Sequence, residues 1–133
     1  MIYLGQTIDA SALSVAAAAP AIFPTILNPD GSLNSVANPA PQGGILTFFA
    51  TGEGVTYGAN VAGQMASAPY ATPQLPVAVT VGSGMAALLF AGEAPGLVGM
   101  LQVDAQLPAT RPAGPLTLQL TVGAIPAPPV TVW

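Results

Sequence analysis

The chain has 133 residues and a mass of 13.1 kDa, a length that fits one domain and leaves little for a second. Only 5% of the residues are charged, the net charge is −4, and there is no cysteine or histidine, which excludes disulfides, zinc and haem ligation, cysteine nucleophiles and a Ser-His-Asp triad. Arg111 is the single basic side chain, against Asp9, Asp30, Glu53, Glu93 and Asp104, so the counterion-displacing footprint of a nucleic-acid binder is missing and anionic membrane surfaces are disfavoured.

Taken from the N-terminus, residues 2–8 and 12–17 read as two weakly alternating strands, with no basic region ahead of the four alanines at 16–19 to make a signal peptide. The apolar stretch 13–27 is interrupted by Ser14, Pro20, Pro24 and Thr25, so it does not encode a membrane-spanning helix. Asn28-Pro29-Asp30-Gly31 has the chemistry of a type I turn. Pro29 sets φ at the first central position and Gly31 is free to take positive φ, which makes 26–33 a hairpin. Residues 45–51 read as a strand, and the adjacent Phe48 and Phe49 point to burial on both of its faces.

Residues 56–75, rich in Gly, Ala and Pro, carry no periodicity and read as an ordered surface loop. Beyond it the alternation is clean. Val77, Val79 and Val81 alternate with Ala78 and Thr80, and Gly82-Ser83-Gly84 turns the chain into a strand over 85–91. Leu101, Val103, Ala105 and Leu107 alternate with Gln102, Asp104 and Gln106, as Leu116, Leu118, Leu120 and Val122 do with Thr117, Gln119 and Thr121. Gly123-Ala124-Ile125-Pro126 then leads into a last strand at 129–132. The 15 prolines cannot donate to a ladder, which assigns them to strand starts, edges and crossings.

No amphipathic helix of ordinary length is encoded. Short strands with one apolar face, separated by Gly and Pro turns, need a second sheet to cover that face, and the fold class is therefore an all-β antiparallel sandwich, with a closed barrel as the alternative.

Five blocks in order carry a family resemblance: Ala17-Ala18-Ala19-Pro20-Ala21-Ile22-Phe23, Asn28-Pro29-Asp30-Gly31-Ser32-Leu33-Asn34-Ser35, Ala37-Asn38-Pro39-Ala40, Ala50-Thr51-Gly52-Glu53-Gly54, and the stretch from Phe90 through Gly92, Pro95 and Gly99 to Val103. Together they resemble a family of uncharacterised C-terminal modules of large exported proteins from soil bacteria, acidobacteria above all. The resemblance covers nearly the whole chain, and its last block is the most specific. It implies an immunoglobulin-like sandwich in a secreted or surface protein, without an assigned activity. It also implies that residues 1–18 are a leading β-hairpin, the closing hairpin of a preceding module, with the sandwich itself at 19–133. Such modules have an apolar residue between the glycines at 52 and 54 and between positions 92 and 94. This chain has Glu53 and Glu93 there, departures that count against a purely structural reading.

Candidate sites each have a plainer explanation. Residues 28–34 set oxygen side chains around a glycine as a calcium loop does, but with one carboxylate, Asp30, where such loops need several. Gly52-Glu53-Gly54 and Gly82-Ser83-Gly84 lack the lysine and following helix of a phosphate cradle and read as turns. Glu53, Glu93 and Asp104 are the candidates for a carboxylate pair, which requires a separation of about 5 to 9.5 Å; solvated loop acids are the default. The serines have no histidine or lysine to activate them. Arg111 is expected in a loop, paired with an acid; Tyr57 and Tyr70 are expected on the long loop as contact aromatics, and Trp133 as a packing anchor.

The resulting expectation is a noncatalytic structural, adhesive or assembly module, extracellular or at the cell surface, with no cofactor or metal. Its partners are neighbouring modules or other copies of itself, not nucleic acid or membrane. The alternatives are a weak hydrolase or metal-assisted activity built on Glu53, Glu93 and Asp104, and a subunit that forms dimers or fibres by β-strand addition.

Overall fold

The computed structural model describes residues 12–58 and 61–133, and ahead of them the backbone of two short strands, β1 (Ile2–Tyr3) and β2 (Gln6–Thr7). The body is built from β3 (Ala21–Leu27), β4 (Ile45–Thr51), β5 (Thr56–Tyr57), β6 (Thr72–Pro73), β7 (Val77–Val81), β8 (Gly84–Met85), β9 (Ala87–Glu93), β10 (Leu101–Gln106), β11 (Leu116–Val122), β12 (Ile125–Pro126) and β13 (Val130–Val132). One sheet has the order β3-β4-β10-β9; in the other, β11 pairs β7 on one side and β12 and β13 on the other, with β8 beyond β7. All pairs are antiparallel. The two sheets remain separate and pack as layers of an all-β sandwich rather than closing into a barrel.

Period-two patterning decides which side chains meet. Leu46, Phe48 and Ala50 of β4 are buried and stand opposite Ala105, Val103 and Leu101 of β10, so a small residue faces a larger one in two of the three pairs. In the second sheet Leu118, Leu120 and Val122 pair with Val81, Val79 and Val77. These inner faces form a single hydrophobic core, each fully buried Leu, Val or Phe contributing about 1.5–3 kcal/mol. Strand β4 is not buried on both faces: Phe49 lies on the outer face opposite Gln102 and is only half-buried, because no layer covers that side.

Three further expectations change. The strand expected over 85–91 is two strands, since the chain leaves the second sheet after Met85, buries Ala86 at the crossing, where its N–H donates to the Val79 carbonyl at 2.9 Å, and enters the first sheet at Ala87. The single strand expected over 2–8 is itself an antiparallel pair, with Ile2 opposite Thr7 and Tyr3 opposite Gln6. Residues 12–17 form no strand and are all exposed, and residues 1, 4, 5 and 8–11 lie outside the described residues.

The prolines sit where a missing donor is tolerated. Pro24 lies in edge strand β3 at a register break between Ile22 and Ile26, Pro126 lies in edge strand β12, and Pro128 and Pro129 separate β12 from β13. The turn expected at Asn28 forms, with the Gly31 N–H donating to the Asn28 carbonyl at 2.9 Å and Gly31 at φ 80°.

The chain enters the body by running across the end of β4. The Ala19 N–H donates to the Gly52 carbonyl at 2.8 Å. Gly52 and Gly54 have φ of 78° and 77°, and a Cβ on either would collide with the carbonyl oxygen of Ala19 or Ala17. Gly31 has a similar φ but nothing within 4 Å of the Cβ position. Gly31→Ala should therefore cost about 1–2 kcal/mol, the backbone term alone, and Gly52→Ala clearly more, because the entering backbone must also move. Urea unfolding midpoints of the two variants measure the difference.

Candidate contact surface at the long-loop end

At one end of the sandwich lie the connection from β4 to β7, the connection from β9 to β10, and the turn between β11 and β12. The first is the long aperiodic segment, and backbone bonds hold it in place. β5 and β6 pair through Thr56 with Pro73 and Tyr57 with Thr72, and the Gln74 N–H donates to the Val55 carbonyl at 2.9 Å. Ala66 ties this loop to the β9–β10 connection, its N–H donating to Leu97 at 2.8 Å and its carbonyl accepting from Gly96 at 3.0 Å. Residues 59–60 lie outside the described residues; at 56–58 and 61–75 the expected ordered loop is present, with a strand pair inside it that Gly and Pro content concealed.

Backbone rigidity here coexists with exposed apolar side chains. Val55, Tyr57, Val61, Met65, Leu97 and Val98 are all solvent-exposed on these connections. Val61 and Val98 among them line one recess. Tyr70 is half-buried, so only Tyr57 of the two expected contact aromatics is presented outward.

A cavity of about 350 Å³ opens among these loops, lined by Glu53, Val61, Gln64, Glu93 and Val98 with neighbouring small residues. The fold thus brings together two of the three carboxylates singled out from sequence. Glu93 also holds the loop: its N–H donates to the Ala71 carbonyl at 2.8 Å, and its Oε2 accepts from the Ala71 N–H at 3.3 Å. Asp104 is elsewhere, on the outer sheet face, where its carboxylate accepts from Thr47 Oγ1 at 2.7 Å and from Gln102 Nε2 at 3.2 Å. Among the described residues no group of three or more acidic side chains could hold a metal ion. The arrangement offers a shallow acidic recess with an apolar rim.

The opposite end is organised by asparagines. Asn28, nearly fully buried, donates from Nδ2 to the Asn38 carbonyl at 3.0 Å and accepts at Oδ1 from Asn34 Nδ2 at 2.9 Å. Asn34 treats the backbone of Trp133 as a neighbouring strand would, accepting from its N–H and donating to its carbonyl, both at 2.8 Å. Trp133 is thus an anchor through its main chain, a role that 99 residues of separation hide from sequence reading. Asp30 accepts from the Ser32 N–H at 3.0 Å and from its hydroxyl, so the oxygens that resembled a calcium loop are engaged within the turn. Arg111 is not ion-paired among the described residues; its Nη2 donates to the Ala40 carbonyl while its Nε is buried without a partner.

No family model matches the chain, and neither the curated proteins nor the solved structures provide a match.

Two measurements test this account of the asparagine-rich end. Asn34→Ala removes both bonds to Trp133 and should cost about 1–3 kcal/mol, read from the urea midpoint. The Ser32 hydroxyl and N–H hold the Asp30 carboxyl below its ordinary value of 3.8. Its contribution to stability is therefore present above pH 3.8 and is lost as the pH falls through the depressed folded value. In Ser32→Ala the Asp30 titration followed by NMR should move up toward 3.8 and the loss should begin at higher pH.

Proposed function

We propose that this chain is a noncatalytic immunoglobulin-like module of an exported bacterial protein, one that serves spacing, adhesion or assembly and makes its contacts through the long-loop end. Strand order supports the immunoglobulin-like reading. With β3, β4, β7, β9, β10 and β11 as strands A, B, C, D, E and F, and with β12 and β13 together as G, the sheets follow the orders ABED and GFC, and β8 adds a C′ position. The B–C and F–G connections then share an end, as they do where antibody variable domains place their binding loops.

The observation that carries the contact role is the set of exposed Val55, Tyr57, Val61, Met65, Leu97 and Val98 on loops fixed by backbone hydrogen bonds. Presenting apolar groups on an ordered backbone reduces the entropy lost on binding. The leading pair, Ile2 with Thr7 and Tyr3 with Gln6, supports a modular parent protein because it belongs to neither sheet of the sandwich.

A second reading, hydrolysis at Glu53 and Glu93, is favoured by their shared cavity alone. Two experiments discriminate. Incubated with p-nitrophenyl acetate and p-nitrophenyl phosphate, the chain should show no turnover above buffer; turnover that falls in folded Glu53→Gln or Glu93→Gln would overturn the noncatalytic reading. Nile red should fluoresce on binding the folded chain, and Val61→Ser combined with Met65→Ser and Leu97→Ser should abolish most of that signal without moving the unfolding midpoint. An undiminished signal would remove the loop end as the contact surface.

A further inference from the structure

Two features of this chain complement each other. Residues 12–17 contain no proline, glycine or charge and alternate apolar with small side chains, yet they belong to no strand. Leu13 and Val15 within them are 86% and 96% exposed. This is the makeup of a strand that lacks a sheet.

The second feature is the free side of β9. Edge strands invite pairing unless something blunts them, and proline, charge and bulges are the usual devices. Pro24 interrupts β3, and Pro126, Pro128 and Pro129 punctuate β12 and β13. β9 has no proline, and its one charge, Glu93, is its last residue, where Ala71 already bonds to the edge. From Ala87 to Leu89 the strand is exposed, and the register break opposite Asp104 and Ala105 is its only device, one that leaves both Leu88 and Leu89 facing solvent.

We propose that residues 12–17 of one chain add as a further strand to the open edge of β9 in a second copy, joining copies by β-strand addition. The proposal rests on the reading of the chain as an assembling module and names its partner. A second copy fits because the two surfaces match: an exposed segment outside any strand at 12–17 and an exposed strand edge at 87–89, with apolar side chains on both and no charge on either. The chain's own edge is out of reach. Ala18 is buried and Ala19 is bonded to Gly52 beside β4, while β9 lies at the far side of that sheet beyond β10. Crossing from β3 to β9 spans roughly 14 Å at about 4.8 Å per strand, and pairing along β9 would use up all of residues 12–17 at about 3.3 Å each.

The test uses the full chain with multi-angle light scattering at increasing concentration. The wild type should reach a mass at least twice 13.1 kDa. Leu13→Asp with Val15→Asp removes the donor, and Leu89→Lys places a charge on the bulged residue of the acceptor edge without disturbing its ladder to β10. Each variant alone should be monomeric. Mixed in equal amounts they should form a one-to-one dimer, because one retains the edge and the other the donor. A monomeric wild type overturns the proposal, and so does association that survives in the donor variant, as pairing of two β9 edges would produce. If association is lost instead in the variant combining Val61→Ser, Met65→Ser and Leu97→Ser while the donor variant retains it, strand addition is refuted and the loop end stands as the contact surface. As a check independent of charge effects, Val15→Cys chains mixed with Leu89→Cys chains under dissolved oxygen with copper-phenanthroline as catalyst should form interchain disulfides faster than either does alone, the oxygen taking the two electrons and two protons of each thiol pair; equal rates count against the contact.

Discussion

The sandwich rests on one separation, repeated strand by strand: alternate side chains of β4 and β10 point inward to meet those of β7 and β11, and the residues between them point out. Phe48, Leu46, Leu101, Leu118 and Leu120 are all fully buried, and nothing else in the chain supplies comparable cohesion. With one cation and five acids, ion pairs contribute little; without cysteine there is no covalent brace. A chain this size buries a modest fraction of its surface, so the inner faces must fit closely. The pairing of Ala50 with Leu101 and of Leu46 with Ala105 shows how volume is balanced across neighbouring strands.

The parts of the fold legible in the sequence are those governed by local rules. The alternation at 101–107 and 116–122 and the Pro-Asp-Gly turn after Asn28 all state their outcome within a few residues. The parts that were not legible depend on distant partners. Residues 85–91 read as one strand because nothing local marks Ala86 as the place where the chain changes sheets; the signal is only that a small residue fits there. Residues 12–17 have strand composition yet form no strand, and composition cannot report whether a segment finds a partner edge. Phe49 was assigned to the interior on its chemistry, and only the sheet pairing shows that its face has no cover.

The same distinction applies to the sites. Glu53 and Glu93 were singled out as residues, but their common cavity arises from the long loop folding back on the end of β9, an arrangement set by Ala71 and Ala66 rather than by any motif. Asp104 was grouped with them on residue type and proves to be a sheet-face acceptor for Thr47 and Gln102. Asn34 reads from sequence only as one of the oxygen side chains around the 28–34 turn, and its bonds to Trp133 are visible only in three dimensions.

The chain enters the body beside Gly52, at the long-loop end, and Trp133 is held by Asn34 and Ala40 at the other. A pull applied between these two points therefore acts along the strands, so that β3 and β13 are sheared rather than unzipped and several bonds bear the load together. Load applied at Trp133 passes first into its bonds with Asn34 and Ala40, which couple the last strand to the turn after β3.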